Sequence, residues 1–94
     1  MKTLADFKRA IQPGTKWEGF NHYYKSSLGV REISKVQSNS FAFKTVRDNG
    51  EVVDSWADFP KAKDIAFNED GTVDIYGIWD GEKRLLLSYK EVTA

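Results

Sequence analysis

Apolar residues fall at helical spacing near the start of the chain, where Leu4, Phe7, Ala10 and Ile11 share one stripe. Thr3 precedes this stripe as a candidate N-cap, with Asp6 three residues on in the manner of a capping box, and Pro13-Gly14 stops the run. The pattern predicts a helix over residues 3–12. So short a helix is not stable alone, so it must lean on another element, and the open side of a β-sheet is the natural support.

From Thr15 onward the periodicity changes to β-branched and aromatic residues broken by turn signals at short intervals, as in an antiparallel meander. Strands are expected near residues 15–24, 29–37, 40–47, 51–56, 63–67, 72–79 and 83–91. At Asp48-Asn49-Gly50, a two-residue Asn-Gly turn would set Phe43 opposite Trp56 and Val46 opposite Val53. At Trp79-Asp80-Gly81, a three-residue loop with Gly81 left-handed would gather Val73, Ile75, Trp79, Leu85, Leu87 and Tyr89 on one face. Asn68-Glu69-Asp70-Gly71 reads as a looser turn.

The hairpin in LGVREISKVQSNSFAFKT admits two registers. A two-residue Ser38-Asn39 loop groups Val30, Val36, Phe41 and Phe43 on one side. It leaves Arg31, Ile33, Lys35, Ala42, Lys44 and Val46 on the other, with Arg31, Lys35 and Lys44 as a basic stripe. A three-residue loop scrambles both groups. Gly19, Gly29 and Gly77 fall inside strand-like runs, where glycine marks bulges or bends that let a sheet curl. The expected fold is α+β and mainly β: one domain over residues 1–94, with a short N-terminal helix and a curled antiparallel meander over 15–92. Its size is that of a small SH3-like or Sm-like β-barrel or roll.

The segment VDSWADFPKAKDIAF, Val53 to Phe67, is the chain's densest mixture of aromatics and charge. With Trp56 assigned to the face of Phe43 it reads as core, and Ile65 and Phe67 alternate as one side of the next strand. Pro60 ends pairing and forces a bend. Phe59, Lys61 and Lys63 are then left on the outer rim of the corner as candidate contacts.

Ninety-four residues with 40% apolar and 14% aromatic content support one modest core and argue against disorder. No cysteine is present, which excludes disulfides, a thiol nucleophile and thiolate metal sites. MKTLADFKRAIQ breaks every apolar run with charge, and no stretch reaches the ~20 apolar residues of a membrane span, so a cytoplasmic protein is expected. Formal charge is zero, yet residues 1–47 carry nine Lys/Arg against three Asp/Glu, and residues 48–94 carry five against eleven. This split of +6 and −6 would make a basic and an acidic face, or cancel if the halves interleave.

Catalytic chemistry has little to work with. His22 is the single histidine and has no sequence neighbour that would orient it, so its expected role is structural. The carboxylates are scattered over turns and alternating strand positions, and Asn68-Glu69-Asp70-Gly71 lacks the ligand spacing of a calcium loop. P-loop, dinucleotide and nucleophile-elbow motifs are absent, and no metal or cofactor is expected. Two binding classes remain. Arg31, Lys35, Lys44 and Arg47, with Tyr23, Tyr24 and Lys25 nearby in sequence, would supply the cations and stacking platforms of a single-stranded nucleic-acid binder, against which stand the neutral net charge and the acidic second half. Alternatively, three Trp, four Tyr and six Phe exceed the needs of this core and suit a protein interface, including a homodimer through edge strands.

Three segments, LGVREISKVQSNSFAFKT, SWADFPKAKDIAF and GEKRLLLSYKEV, resemble small accessory proteins of bacteriophages and related mobile elements. The likeness spans about residues 12–92 and rests on apolar and turn positions around SW...FPKA, with no catalytic motif. It implies stoichiometric binding to a host protein or nucleic acid without chemistry, and it carries over no functional residue.

Overall fold

The computed structural model describes residues 2–92. Helix α1 (Leu4–Ala10) is followed by β1 (Lys16–Asn21), β2 (Ser26–Val36), β3 (Ser40–Val46), β4 (Val52–Asp58), a 3₁₀ turn (Ala62–Asp64), β5 (Ile65–Phe67), β6 (Thr72–Trp79) and β7 (Glu82–Val92). The seven strands form one antiparallel sheet in the order β4-β3-β2-β1-β7-β6-β5. The sheet curls without closing, with β4 and β5 as its edges. Among the described residues no helix is long and apolar enough to cross a membrane.

The capping box forms as expected: the Asp6 amide donates to Thr3 Oγ1 and the Thr3 amide to Asp6 Oδ2, both at 3.2 Å. Helix α1 leans on the concave face of the sheet. Phe7, with no exposed surface, meets Trp17, Phe41 and Phe59 edge-on at 5.7, 6.3 and 6.0 Å between ring centroids. Ile11, Ile33, Phe43, Val73, Ile75 and Tyr89 complete the core. Each fully buried side chain of this size stabilises the fold by about 1.5–3 kcal/mol.

Two turns differ from the sequence expectation by one residue, and each difference changes which side chains face inward. At the β3–β4 turn the Arg47 amide donates to the Glu51 carbonyl, so the loop is the three residues Asp48-Asn49-Gly50, with Gly50 at φ +84°. Val46 therefore pairs with Val52 and Ala42 with Trp56. Trp56 turns to the convex face and is 47% exposed, while Phe59 packs inward on Phe7 and Phe41. The expected roles of these two aromatics are exchanged. At the β6–β7 turn the loop is two residues, Asp80-Gly81, both at positive φ, and Trp79 pairs with Glu82. This register puts Leu85 opposite Tyr76, off the face of Val73 and Ile75, and a bulge at Leu86 then returns Leu87 and Tyr89 to that face.

The β2–β3 turn follows the two-residue register, with Val36 opposite Phe41. One extra residue, Ser34, then shifts the register so that Ile33 faces Phe43 in the core. The bulge bends β2, whose first half pairs with β1 and second half with β3. Pro60 follows the end of β4, as expected. Strands from the basic half of the sequence, β1 to β3, lie together in the sheet, with acidic-half strands on both flanks. The charge split thus runs along the strand order and does not divide the two faces.

Candidate functional site

The β1–β2 connection is built by Asn21, whose Oδ1 accepts the Tyr23 and Tyr24 amides at 2.9 and 3.1 Å. This Asx-type turn is closed by Lys25 at φ +53°. Tyr23 and Tyr24, expected at a strand end, therefore stand at the tip of a turn. Tyr23 lies 4.1 Å from Trp79 and 4.6 Å from Tyr24 between ring centroids, and Tyr24 is 74% exposed. Lys25 and Arg84 line the hollow beside Tyr23 and Trp79. Trp79, read from sequence as a core residue, keeps the face of Val73 and Ile75 but is the last residue of β6 and is exposed there.

The other basic candidates do not form a common surface. Lys35 and Lys44 lie on the convex face, paired with Asp54 at 3.1 Å and Glu32 at 2.6 Å. These cations and their hydrogen-bonding neighbours hold both carboxyls below their ordinary range: for Glu32 the largest cause is the hydrogen bond from Lys44, for Asp54 the hydrogen bond from Ser34. Arg47 sits at the β3–β4 hairpin tip, 3.8 Å from Glu51. The Ser34 bulge separates Arg31 from the lysines and carries it to the concave side. Lys61 and Lys63 are exposed around the 3₁₀ turn, without the inward-facing Phe59.

Arg31 opens on a concave cleft of about 140 Å³ lined in part by Trp17, Leu28, Phe43, Ala57 and Tyr89. Phe43 and Tyr89 stack at 5.8 Å with planes 28° apart. The Tyr89 ring lies over Gly19, where an added Cβ would come within 3.0 Å of it and 3.1 Å of Leu28. Burial raises the Tyr89 pKa, and the nearby Arg31 charge opposes that shift.

On the convex face His22 Nε2 is 2.7 Å from Ser88 Oγ, which donates to Asp74 Oδ1 at 2.6 Å; Asn68 Nδ2 donates to Asp74 Oδ2 at 2.9 Å. Here the serine stands between the histidine and the acid. In a nucleophilic triad the histidine stands between them, taking the serine proton while the acid orients it. With the Ser88 proton directed at Asp74, the chain ties the β1–β2 turn, β7 and β6 together. Among the described residues no group of three or more His, Asp or Glu converges to hold a metal. The sequence and fold were compared with family models, curated proteins and solved structures, and none matches.

Proposed function

We propose that this chain is a non-enzymatic binding protein of phage-accessory type that engages a host protein stoichiometrically in the cytoplasm. The observation that carries the reading is the exposed cluster of Tyr23, Tyr24 and Trp79 at one end of the sheet, with Tyr24 edge-on and Trp79 tilted against Tyr23, beside Lys25 and Arg84. Tyrosine, tryptophan and arginine are the residue types that dominate interface hot spots, and the aromatic side chains, with two torsions each, lose little conformational entropy on binding. The curled sheet serves as a small SH3-like or Sm-like platform, although such a likeness assigns no function by itself. Pairing of unpaired β4 edges between copies would give a homodimer, which sedimentation velocity detects. The test of the main reading is affinity capture from host extract by the wild type beside a Tyr23→Ser/Tyr24→Ser variant. Loss of the captured protein in the variant supports the patch, and equal capture refutes it.

The second reading, a single-stranded nucleic-acid binder, draws on the same aromatics and on Lys25, which has no ion-pair partner among the described residues. Against it, the ion pairs at Lys35, Lys44 and Arg47 remove most of the charge expected to follow a phosphate backbone. A labelled oligonucleotide titrated at low salt decides this reading: affinity that falls steeply with salt supports it, and no binding at about 50 μM ends it.

A further inference from the structure

We propose that the concave cleft is a binding site for small aromatic carboxylates, with Arg31 and the Tyr89 hydroxyl holding the carboxylate and Trp17, Leu28 and Phe43 receiving the ring. The site is independent of the aromatic patch and stands on three observations. First, two hydrogen-bond donors converge there without protein acceptors. Among the described residues Arg31 forms no ion pair and the Tyr89 hydroxyl has no side-chain partner, while no polar side-chain atom is both buried and unpartnered. Neither group is therefore fully buried, and both residues line the cleft. Glu91, which pairs with Trp17 across β1 and β7, lies on the far side of Trp17 from Arg31, which pairs with Trp17 across β1 and β2.

Second, apart from two glycines and Ser55, whose hydroxyl is paired with Thr45 Oγ1 at 2.7 Å, the remaining lining is apolar and aromatic, and its size suits one ring: the cleft measures about 140 Å³, and an apolar cavity of about 150 Å³ admits benzene. Third, the walls are set by packing. Trp17 is fixed by its indole hydrogen bond to Thr15 Oγ1 at 3.0 Å, and Phe43 by its stack on Tyr89. A guanidinium favours a planar carboxylate, to which it can donate two parallel hydrogen bonds, and the hydroxyl adds a third. A neutral amide offers these donors one acceptor oxygen and no charge, so the bidentate charged pair is lost, which is the source of the selectivity.

The test is a titration of the ¹⁵N-labelled protein with sodium benzoate and, separately, benzamide at constant ionic strength. Benzoate is expected to saturate with Kd of about 1 mM or tighter, shifting amides of residues 28–31, 43 and 57. Benzamide should bind at least about tenfold more weakly, and Arg31→Gln should weaken benzoate to the same degree. Ala57→Leu, which keeps Arg31 and fills the cleft, should also abolish saturation, so a folding failure of one variant leaves the other decisive. Equal affinity for benzoate and benzamide, unchanged benzoate binding in either variant, shifts confined elsewhere, or no saturation by about 20 mM would overturn the assignment.

Discussion

Phe59 and Trp56 lie three residues apart, and the three-residue Asp48-Asn49-Gly50 loop sends one inward and the other out. Truncating each to alanine therefore distinguishes this register from its one-residue neighbour. Phe59 is half-buried, meets Phe41 at 4.8 Å and Phe7 at 6.0 Å, and carries Lys8 Nζ at 5.2 Å over its ring. A fully buried Phe→Ala change costs about 3–5 kcal/mol, of which the partial exposure of Phe59 removes a third or so, leaving about 2–3 kcal/mol. Trp56 is 47% exposed on the convex face over Ala42, so the same scaling removes about half of the cost and leaves about 1.5–2.5 kcal/mol for Trp56→Ala, below the Phe59 loss. Urea unfolding followed by far-UV circular dichroism measures both, with the m-value checked for constancy. For a domain of this size the Phe59→Ala loss lowers Tm by about 10–20 °C. A larger loss for Trp56→Ala than for Phe59→Ala would refute the register and the concave placement of Phe59.

Three further outcomes follow from named contacts. Gly19→Ala should destabilise by about 1–3 kcal/mol, because the new methyl meets the Tyr89 ring at 3.0 Å and Leu28 at 3.1 Å on a packed wall; a neutral result in the same urea assay would contradict that packing. Tyr89 has its pKa raised by burial, so its contribution to stability is complete below the ordinary tyrosine value of 10.0 and is lost as pH rises through the higher folded value. Tyr89→Phe should flatten the alkaline limb of the Tm profile. Glu32 and Asp54 have lowered pKa values, so their contribution is complete above their ordinary values of 4.5 and 3.8 and is lost as pH falls below them. The Glu32→Gln/Asp54→Asn variant should show a shallower acid limb than wild type.

Much of the element order is legible in the sequence because helix and strand periods differ and because Pro13-Gly14, Asn49-Gly50 and Asp80-Gly81 mark chain reversals. What is not legible is parity. A strand repeats every two residues, so one residue more or less in a turn or bulge exchanges its faces. Trp56, Leu85 and Arg31 all change sides for this reason, through the loop at Asp48, the two-residue turn at Asp80 and the bulge at Ser34. One signal was present: Gly77 lies where a Cβ would collide with Leu86, so the glycine opposite the bulge is what makes room for it. The His22–Ser88–Asp74 chain joins residues up to 66 positions apart, and nothing local announces it. The cleft was hidden in the same way, since its walls come from β1, β2, β3, β4 and β7.

Site-specific photo-crosslinking in host cells tests the proposed binding patch most directly. A photoreactive phenylalanine analogue replaces Tyr24 at the exposed turn in one protein and Lys61 near the 3₁₀ turn in another. Binding through the aromatic cluster predicts one discrete protein adduct from position 24 and none from position 61. No adduct from position 24, or the same adduct from both positions, would contradict it.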